Sequence, residues 1–258
     1  MKEPFFLIAG PCVVEDENSP YEIAKKIYEI TSRLGIPFIF KASYRKANRS
    51  KLNSFQGIGD EKALNVIKKI KDELGLLVTT DVHNITEVDV VAEYVDVLQI
   101  PAFLCRQTEL LLAAGKTQKT VNVKKGQFLS PESMKFAVEK IESTGNKNIM
   151  LTERGTTFGY GDLVVDMRSI PIMQTAGYPV VLDVTHSLQQ PNTLEGVTGG
   201  APQFIETIAK AGIAVGANGI FIETHPDPAK ALSDGKNMLP LNKLENLLQT
   251  LLRIHNAL

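Results

Sequence analysis

Phe5-Phe6-Leu7-Ile8-Ala9, then Tyr21-Glu22-Ile23-Ala24-Lys25-Lys26-Ile27-Tyr28-Glu29-Ile30, then Pro37-Phe38-Ile39-Phe40 form the opening unit of this chain. The outer two runs are short, apolar and rich in β-formers, as strands buried on both faces of a parallel sheet must be. The run between them places Ile23, Ile27 and Ile30 on one helical face. Asn18 or Ser19, ahead of Pro20, is expected to cap its start, and Gly35 to close it in a left-handed conformation.

The same unit recurs along the chain. Apolar runs follow at Leu76-Leu77-Val78-Thr79-Thr80, Val95-Asp96-Val97-Leu98-Gln99-Ile100 and Thr120-Val121-Asn122-Val123. Three more are Asn148-Ile149-Met150-Leu151, Pro179-Val180-Val181-Leu182 and Gly219-Ile220-Phe221-Ile222. Helical periodicity fills roughly 60–74, 85–94, 107–115, 131–143, 163–176, 202–217 and 240–256. Eight strands and eight helices therefore alternate, with no linker or charge run between them. Residues 1–258 are expected to form one α/β domain, a single (β/α)8 TIM barrel, a fold that needs about 250 residues. An open doubly wound sheet is the alternative, although such sheets usually have fewer strands.

Composition narrows the partners. With 28 basic and 29 acidic side chains, no bulk field favours nucleic acid or an anionic membrane. Two cysteines do not make a disulfide framework, so a reducing, cytoplasmic setting is expected. No apolar run approaches the roughly 18 residues needed to span a bilayer. Met1 to Gly10 does not read as a secretory signal.

Every strand runs into a polar residue at its C-terminal end, the end where barrel active sites are built. Lys41, Asp81, Gln99, Lys124, Arg154 and Glu223 sit beside or within apolar strands, where an isolated charge is costly unless paired or bound. One theme is cationic: Lys41, Lys46, Arg49, Lys124 and Arg154 could together hold several anionic groups. The bland alternative is that these cations only neutralise Asp81, Glu153 or Asp183. The second theme is a metal. Cys12, His186 and Glu223 end strands one, seven and eight, neighbours in a closed barrel, and Asp234 follows soon after. One thiolate, one imidazole and two carboxylates suit one divalent ion such as Fe²⁺, Zn²⁺, Mn²⁺ or Co²⁺. The competing reading makes Cys12 a small buried hydrophobe and His186 an acid–base residue. Cys105 reads as a packing or interface residue, and His255 as solvated. No GxGxxG or Walker A pattern supports a nucleotide.

Longer motifs carry a resemblance. Ile8-Ala9-Gly10-Pro11-Cys12, Phe40-Lys41-Ala42-Ser43, Lys46-Ala47-Asn48-Arg49-Ser50 and Thr80-Asp81-Val82-His83 resemble the 3-deoxy-D-manno-octulosonate 8-phosphate (KDO8P) synthase family. Gln99 to Thr108, Val121 to Phe128, Glu153-Arg154-Gly155, Asp183 to Ser187 and Glu223 to Pro228 extend it over essentially the whole chain. The resemblance implies a cytoplasmic homotetrameric barrel of lipopolysaccharide biosynthesis that condenses phosphoenolpyruvate with D-arabinose 5-phosphate, releasing phosphate. The related heptulosonate synthases use erythrose 4-phosphate and typically read Lys-Pro-Arg-Thr where this chain has Lys46-Ala47-Asn48-Arg49-Ser50.

By the same resemblance, Lys41, Lys124 and Arg154 would hold phosphoenolpyruvate, with Ser43, Gln99, Pro101 and Ala102 beside them. Lys46 would lie between the substrates, and Asn48, Arg49 and Ser50 would take the pentose phosphate. Asp81 and Phe103 would shape the sugar site, and Arg106 would reach a neighbouring subunit. Cys12 places the chain in the metal-dependent branch, with one ion per subunit on Cys12, His186, Glu223 and Asp234. Lys46, His186, Cys12 and Asp234 would serve the chemistry. Arg45 and Lys51 depart from the family pattern, as does Gly200-Ala201-Pro202.

Overall fold

The computed structural model describes residues 5–48, 51, 53–190 and 199–258. Eight parallel strands form its centre: β1 (Phe6–Gly10), β2 (Phe38–Lys41), β3 (Leu77–Asp81), β4 (Val97–Ile100), β5 (Thr120–Lys124), β6 (Ile149–Glu153), β9 (Val180–Asp183) and β12 (Gly219–His225). Their order is sequential, and β12 returns to β1 over the register Phe6↔Gly219 to Gly10↔Glu223, closing the barrel. The helices are α1 (Ser19–Leu34), α2 (Asp60–Leu74), α3 (Ile85–Ala92), α4 (Thr108–Lys116), α5 (Met134–Glu142), α6 (Ser169–Gln174), α7 (Ile205–Ala214) and α8 (Leu244–Ala257).

The two-residue period of the strands sorts the barrel into layers. Ile8, Ile39, Val97, Met150, Val181 and Phe221 form a buried cluster of their own inside it. Two residues further along the same strands stand Gly10, Lys41, Gln99, Thr152, Asp183 and Glu223. An apolar plug thus fills the barrel, and a polar layer lies directly above it. The alternate residues, among them Leu7, Phe40, Val78, Leu98, Val121, Leu151, Leu182 and Ile220, belong to the larger core between sheet and helices. Each fully buried side chain of that kind contributes about 1.5–3 kcal/mol. Gly10 is glycine for a steric reason: a Cβ there would stand 2.0 Å from the Lys41 carbonyl oxygen of the neighbouring strand.

The helix ends follow the sequence closely. Gly35 closes α1 at φ 66°, as its position predicts. At the other end Asn18 takes the N-cap position, as expected, but its side chain makes no capping bond; the Asp16 carboxylate instead accepts from Asn18 N and Ser19 N at 2.7 Å. The helix expected over 163–176 shrinks to α6, and a hairpin precedes it, β7 (Thr156–Phe158) with β8 (Asp162–Val164). The reason is local: Gly159, at a left-handed φ of 68°, turns the chain so that Thr156–Phe158 pairs antiparallel with Asp162–Val164. A short β10 (Gln189–Gln190) pairs with β11 (Gly199–Gly200), and β13 (Leu239–Pro240) adds to β12. Gly200 there faces the Asn237 side chain so closely that no Cβ would fit. His255 is not solvated; it is buried on the inner face of α8, its ring edge-on to Phe5 at 5.9 Å. Cys105 is buried, as a packing residue would be. Among the described residues no helix is long and apolar enough to cross a membrane.

Candidate active site

A cavity of about 1400 Å³ opens above the polar layer, at the C-terminal ends of the strands. Lys41, Lys46, Asn48, Asp81, Gln99, Pro101, Ala102, Phe103, Lys124, Arg154, His186 and Asp234 all line it, so the expected residues from six strand ends meet in one place. Ser43, Cys12 and Glu223 lie just beneath, fully buried. Arg49 and Ser50 fall outside the described residues. Arg106 is exposed and does not line this cavity.

The cations are held in two ways. Lys41 is buried with its Nζ 3.5 Å from Asp81 and 3.4 Å from Glu223, and Lys124 donates to Asp183 at 2.5 Å. To that extent the neutralising reading of these lysines holds. Arg154 is different. Its Nη2 donates to the His186 carbonyl at 3.0 Å and to Gln189 Oε1 at 2.8 Å. Its Nη1 is buried with no hydrogen-bond partner among the described residues. A guanidinium aimed into a cavity with one nitrogen unpaired is poised for an anion.

The fields in this mouth move several groups. Burial lowers the Lys124 and Arg154 pKa values, opposed by Asp183 in both cases. Burial also works against charge on Lys46, but Cys12, Glu223, Asp234 and Asp81 outweigh it and raise the Lys46 pKa. Burial pushes Asp81 up, yet Lys41, Lys46 and His83 prevail and hold the carboxyl well below its ordinary range. Asp183 is likewise held ionised by His186 and Lys124 against its burial.

Cys12, Glu223 and Asp234 bring one ligand atom each to within 4.8 Å of one another. Cys12 Sγ lies 3.2 Å from Asp234 Oδ2, and His186 Nε2 lies 3.4 Å from Glu223 Oε1. Donors about 2.1 Å from one tetrahedral ion stand roughly 3.4 Å apart, so the Cys12–Asp234 edge suits a metal, whereas His186 lies outside the three-residue cluster. Glu223 Oε2 is buried and has no hydrogen-bond partner among the described residues, an acceptor that a cation would satisfy. Asp234 adopts a left-handed φ of 50°, rare for a non-glycine and a conformation that clusters at functional sites. His186 stands at the edge of the set: Nδ1 donates to Asp183 Oδ2 at 2.7 Å, leaving Nε2 facing Glu223. That hydrogen bond orients the ring as carboxylates orient metal-binding histidines.

Several residues take parts that the strand-end reading does not assign. Asp183 accepts from Lys124, His186 Nδ1 and two backbone N–H groups, and so organises the seventh strand end. Ser233 Oγ lies 2.9 Å from Cys12 Sγ. Lys125 does not face the cavity; it is buried beneath the β7–β8 hairpin, 3.4 Å from Glu153. Arg45 is also turned aside, bonded to Asp60 at 2.9 Å and to Glu87, whereas Lys51 lines the cavity. An Asn at the centre of Val121-Asn122-Val123 is the one signal that could have revealed further polar residues inside the barrel.

A closed parallel barrel with a cation-lined mouth over a thiol–carboxylate cluster defines an enzyme of small anionic substrates. The chain matches the DAHP synthetase I family model over residues 1–258 and belongs to that family. It is 52% identical over 250 residues, 97% of this chain and 92% of the relative, to a protein of Pelobacter propionicus named 2-dehydro-3-deoxyphosphooctonate aldolase. A Brucella anthropi protein of the same name is 53% identical over 249 residues, 96% of this chain and 90% of its own length. A third, from Trichlorobacter lovleyi, is 52% identical over 245 residues, covering 95% and 90%.

Proposed function

We propose that this chain is a 3-deoxy-D-manno-octulosonate 8-phosphate synthase, joining phosphoenolpyruvate to D-arabinose 5-phosphate with water and releasing inorganic phosphate. The observation that carries this reading is the gathering of Lys41, Lys46, Lys124 and Arg154 around one cavity above Cys12, Glu223 and Asp234. The chain is also more than half identical to relatives named for a phosphorylated eight-carbon keto acid. Three carbons from one substrate and five from the other make that skeleton.

The methylene carbon of phosphoenolpyruvate bonds to the aldehyde carbon of the open-chain sugar, whose oxygen takes up a proton. Water adds to the former enol carbon and loses a proton; the hemiketal phosphate then expels phosphate to leave the ketone. Two multiply charged anions repel strongly in a cavity of low dielectric, so alignment needs fixed cations. Lys124 and Arg154, with Lys41 below, hold phosphoenolpyruvate, and the unpaired Arg154 Nη1 takes one of its oxygens. Lys46, kept protonated by the surrounding anions, donates from Nζ toward the aldehyde oxygen. Gln99 and the Pro101-Ala102 backbone flank phosphoenolpyruvate, while Asn48, Asp81 and Phe103 bound the sugar. A divalent ion on Cys12, His186, Glu223 and Asp234 would supply Lewis acidity at the cavity floor.

The chain works as a single catalytic barrel, in the cytoplasm, and copies of it associate, as a tetramer. Exposed Phe128, Phe136, Phe158 and Tyr160 support an interface, since large bare aromatics favour contact with another surface. Light scattering reads the tetramer directly, and a monomer would contradict it. The activity is tested by a coupled phosphate assay: release must require both substrates together. Cys12→Ser should lower metal content and turnover in parallel; full activity after exhaustive chelation would contradict the metal assignment.

A further inference from the structure

A line of side-chain hydrogen bonds crosses the polar layer from β6 to β2. Thr152 Oγ1 donates to Asn122 Oδ1 at 2.7 Å, Asn122 Nδ2 donates to Gln99 Oε1 at 3.1 Å, and Gln99 Nε2 donates to Asp81 Oδ1 at 2.7 Å. From the other side Lys41 Nζ donates to Ser43 Oγ at 2.9 Å, and Ser43 donates to Asp81 Oδ2 at 2.5 Å. Every member is buried, and Asn122 and Thr152 are fully so. Neither Asn122 nor Thr152 lines the cavity, whereas Gln99 and Asp81 both do.

The line has a direction, and its carboxylate end imposes it. Asp81 is held ionised by its neighbours and only accepts, so Gln99 must turn its Nε2 toward it. The two ends of a carboxamide differ little in shape, so packing alone does not prevent the reverse orientation, which would set Gln99 Oε1 against the carboxylate. Asn122 disfavours it by offering Gln99 Oε1 a donor, and Thr152, whose hydroxyl turns to donate, satisfies the Asn122 oxygen and keeps that side chain in place. Each link polarises the next in a medium of low dielectric.

We infer that Asn122 and Thr152 are positioning residues for the condensation, setting which atoms Gln99 and Asp81 present to the substrates without touching them. The inference rests on the proposed function, since it takes the cavity as the substrate site. The test compares Thr152→Val, which keeps the shape but removes the donor, with Thr152→Ser, which keeps the donor, and with Asn122→Asp, which cannot donate to Gln99 when ionised. Steady-state kcat and KM for phosphoenolpyruvate and arabinose 5-phosphate are measured, with folded content followed by circular dichroism. Thr152→Val should lose about tenfold in kcat/KM through a raised KM, the scale of one hydrogen bond, while Thr152→Ser stays within about twofold of wild type. Asn122→Asp should lose more than Thr152→Val; if it does not fold, the Thr152 pair carries the test alone. The inference is overturned by a Thr152→Val enzyme with unchanged kinetics, by equal losses in Val and Ser, or by a fall in kcat alone that tracks lost folded protein. A wild-type protein that turns over no substrate pair would instead overturn the functional reading and this inference with it.

Discussion

Replacing Asp183 by Asn keeps the side-chain volume and removes one charge from the most constrained anion in the barrel. Asp183 is fully buried, takes a hydrogen bond from Lys124 Nζ at 2.5 Å and one from His186 Nδ1 at 2.7 Å, and accepts from the Thr185 and His186 backbone at 3.0 and 2.8 Å. An asparagine oxygen can still take the two backbone donors. Its amide nitrogen must then face Lys124 and His186, donor against donor. Breaking a buried pair from one side costs about 3–5 kcal/mol, because the remaining charge is left unpaired. Asp183→Asn should lose that much stability at pH 7, and about 10–100-fold in kcat/KM as His186 loses its orienting partner. The charge origin of the loss has its own signature. Asp183 is depressed below its unfolded pKa, so its contribution is complete above about 3.9 and fades as pH falls. The gap between wild type and variant should therefore close by about 1.4 kcal/mol per pH unit below that point. Urea unfolding followed by circular dichroism suits a chain without tryptophan, at fixed protein concentration. A loss under about 1 kcal/mol at pH 7, or a gap that does not narrow below pH 3.9, would refute the electrostatic account.

Two further substitutions probe the scaffold. Gly10→Ala should abolish soluble, active protein, since its Cβ would lie 2.0 Å from a backbone carbonyl that cannot yield; Gly161→Ala, with nothing within 4 Å, is the control and should stay within about 0.5 kcal/mol of wild type. A soluble, active Gly10→Ala enzyme would contradict the strand packing. Glu87 is pushed up by burial but held at about 2, against an ordinary 4.5, by His83, Tyr44 and Arg45. Its folded value lies below its unfolded one, so its contribution is full above pH 4.5 and fades toward pH 2. Glu87→Gln should be destabilised at pH 7 and converge on wild type below pH 4.5, read by the same unfolding curves; parallel curves at every pH would contradict it.

Much of this architecture can be read from the chain because the barrel repeats one simple rule. Apolar runs such as Val180-Val181-Leu182 announce strands, and the polar residues at their ends announce the mouth. That is why Lys41, Lys124, Arg154 and the Cys12, Glu223 and Asp234 cluster are legible without coordinates. What stays hidden depends on how strands sit beside one another. Asn122 interrupts an apolar run and Thr152 follows another, but only the stagger of β4, β5 and β6 brings them into one line. Asp183 reads as one more strand-end charge, and only three-dimensional packing makes it the shared partner of Lys124 and His186. The β7–β8 hairpin is missed because its three-residue strands are shorter than any periodicity can resolve. His255 is misplaced because one polar residue near a helix end resembles a solvated one, although it follows Leu251 by four residues on the same face.

In the proposed reaction the cations and carboxylates of this mouth join a three-carbon enol phosphate to a five-carbon sugar phosphate. The most direct measurement supplies phosphoenolpyruvate with either arabinose 5-phosphate or erythrose 4-phosphate, following phosphate release and the mass of the product. The pentose should give an eight-carbon phosphorylated keto acid, with one phosphate released per molecule formed. Equal or faster turnover with the four-carbon sugar, giving the seven-carbon product, would contradict it.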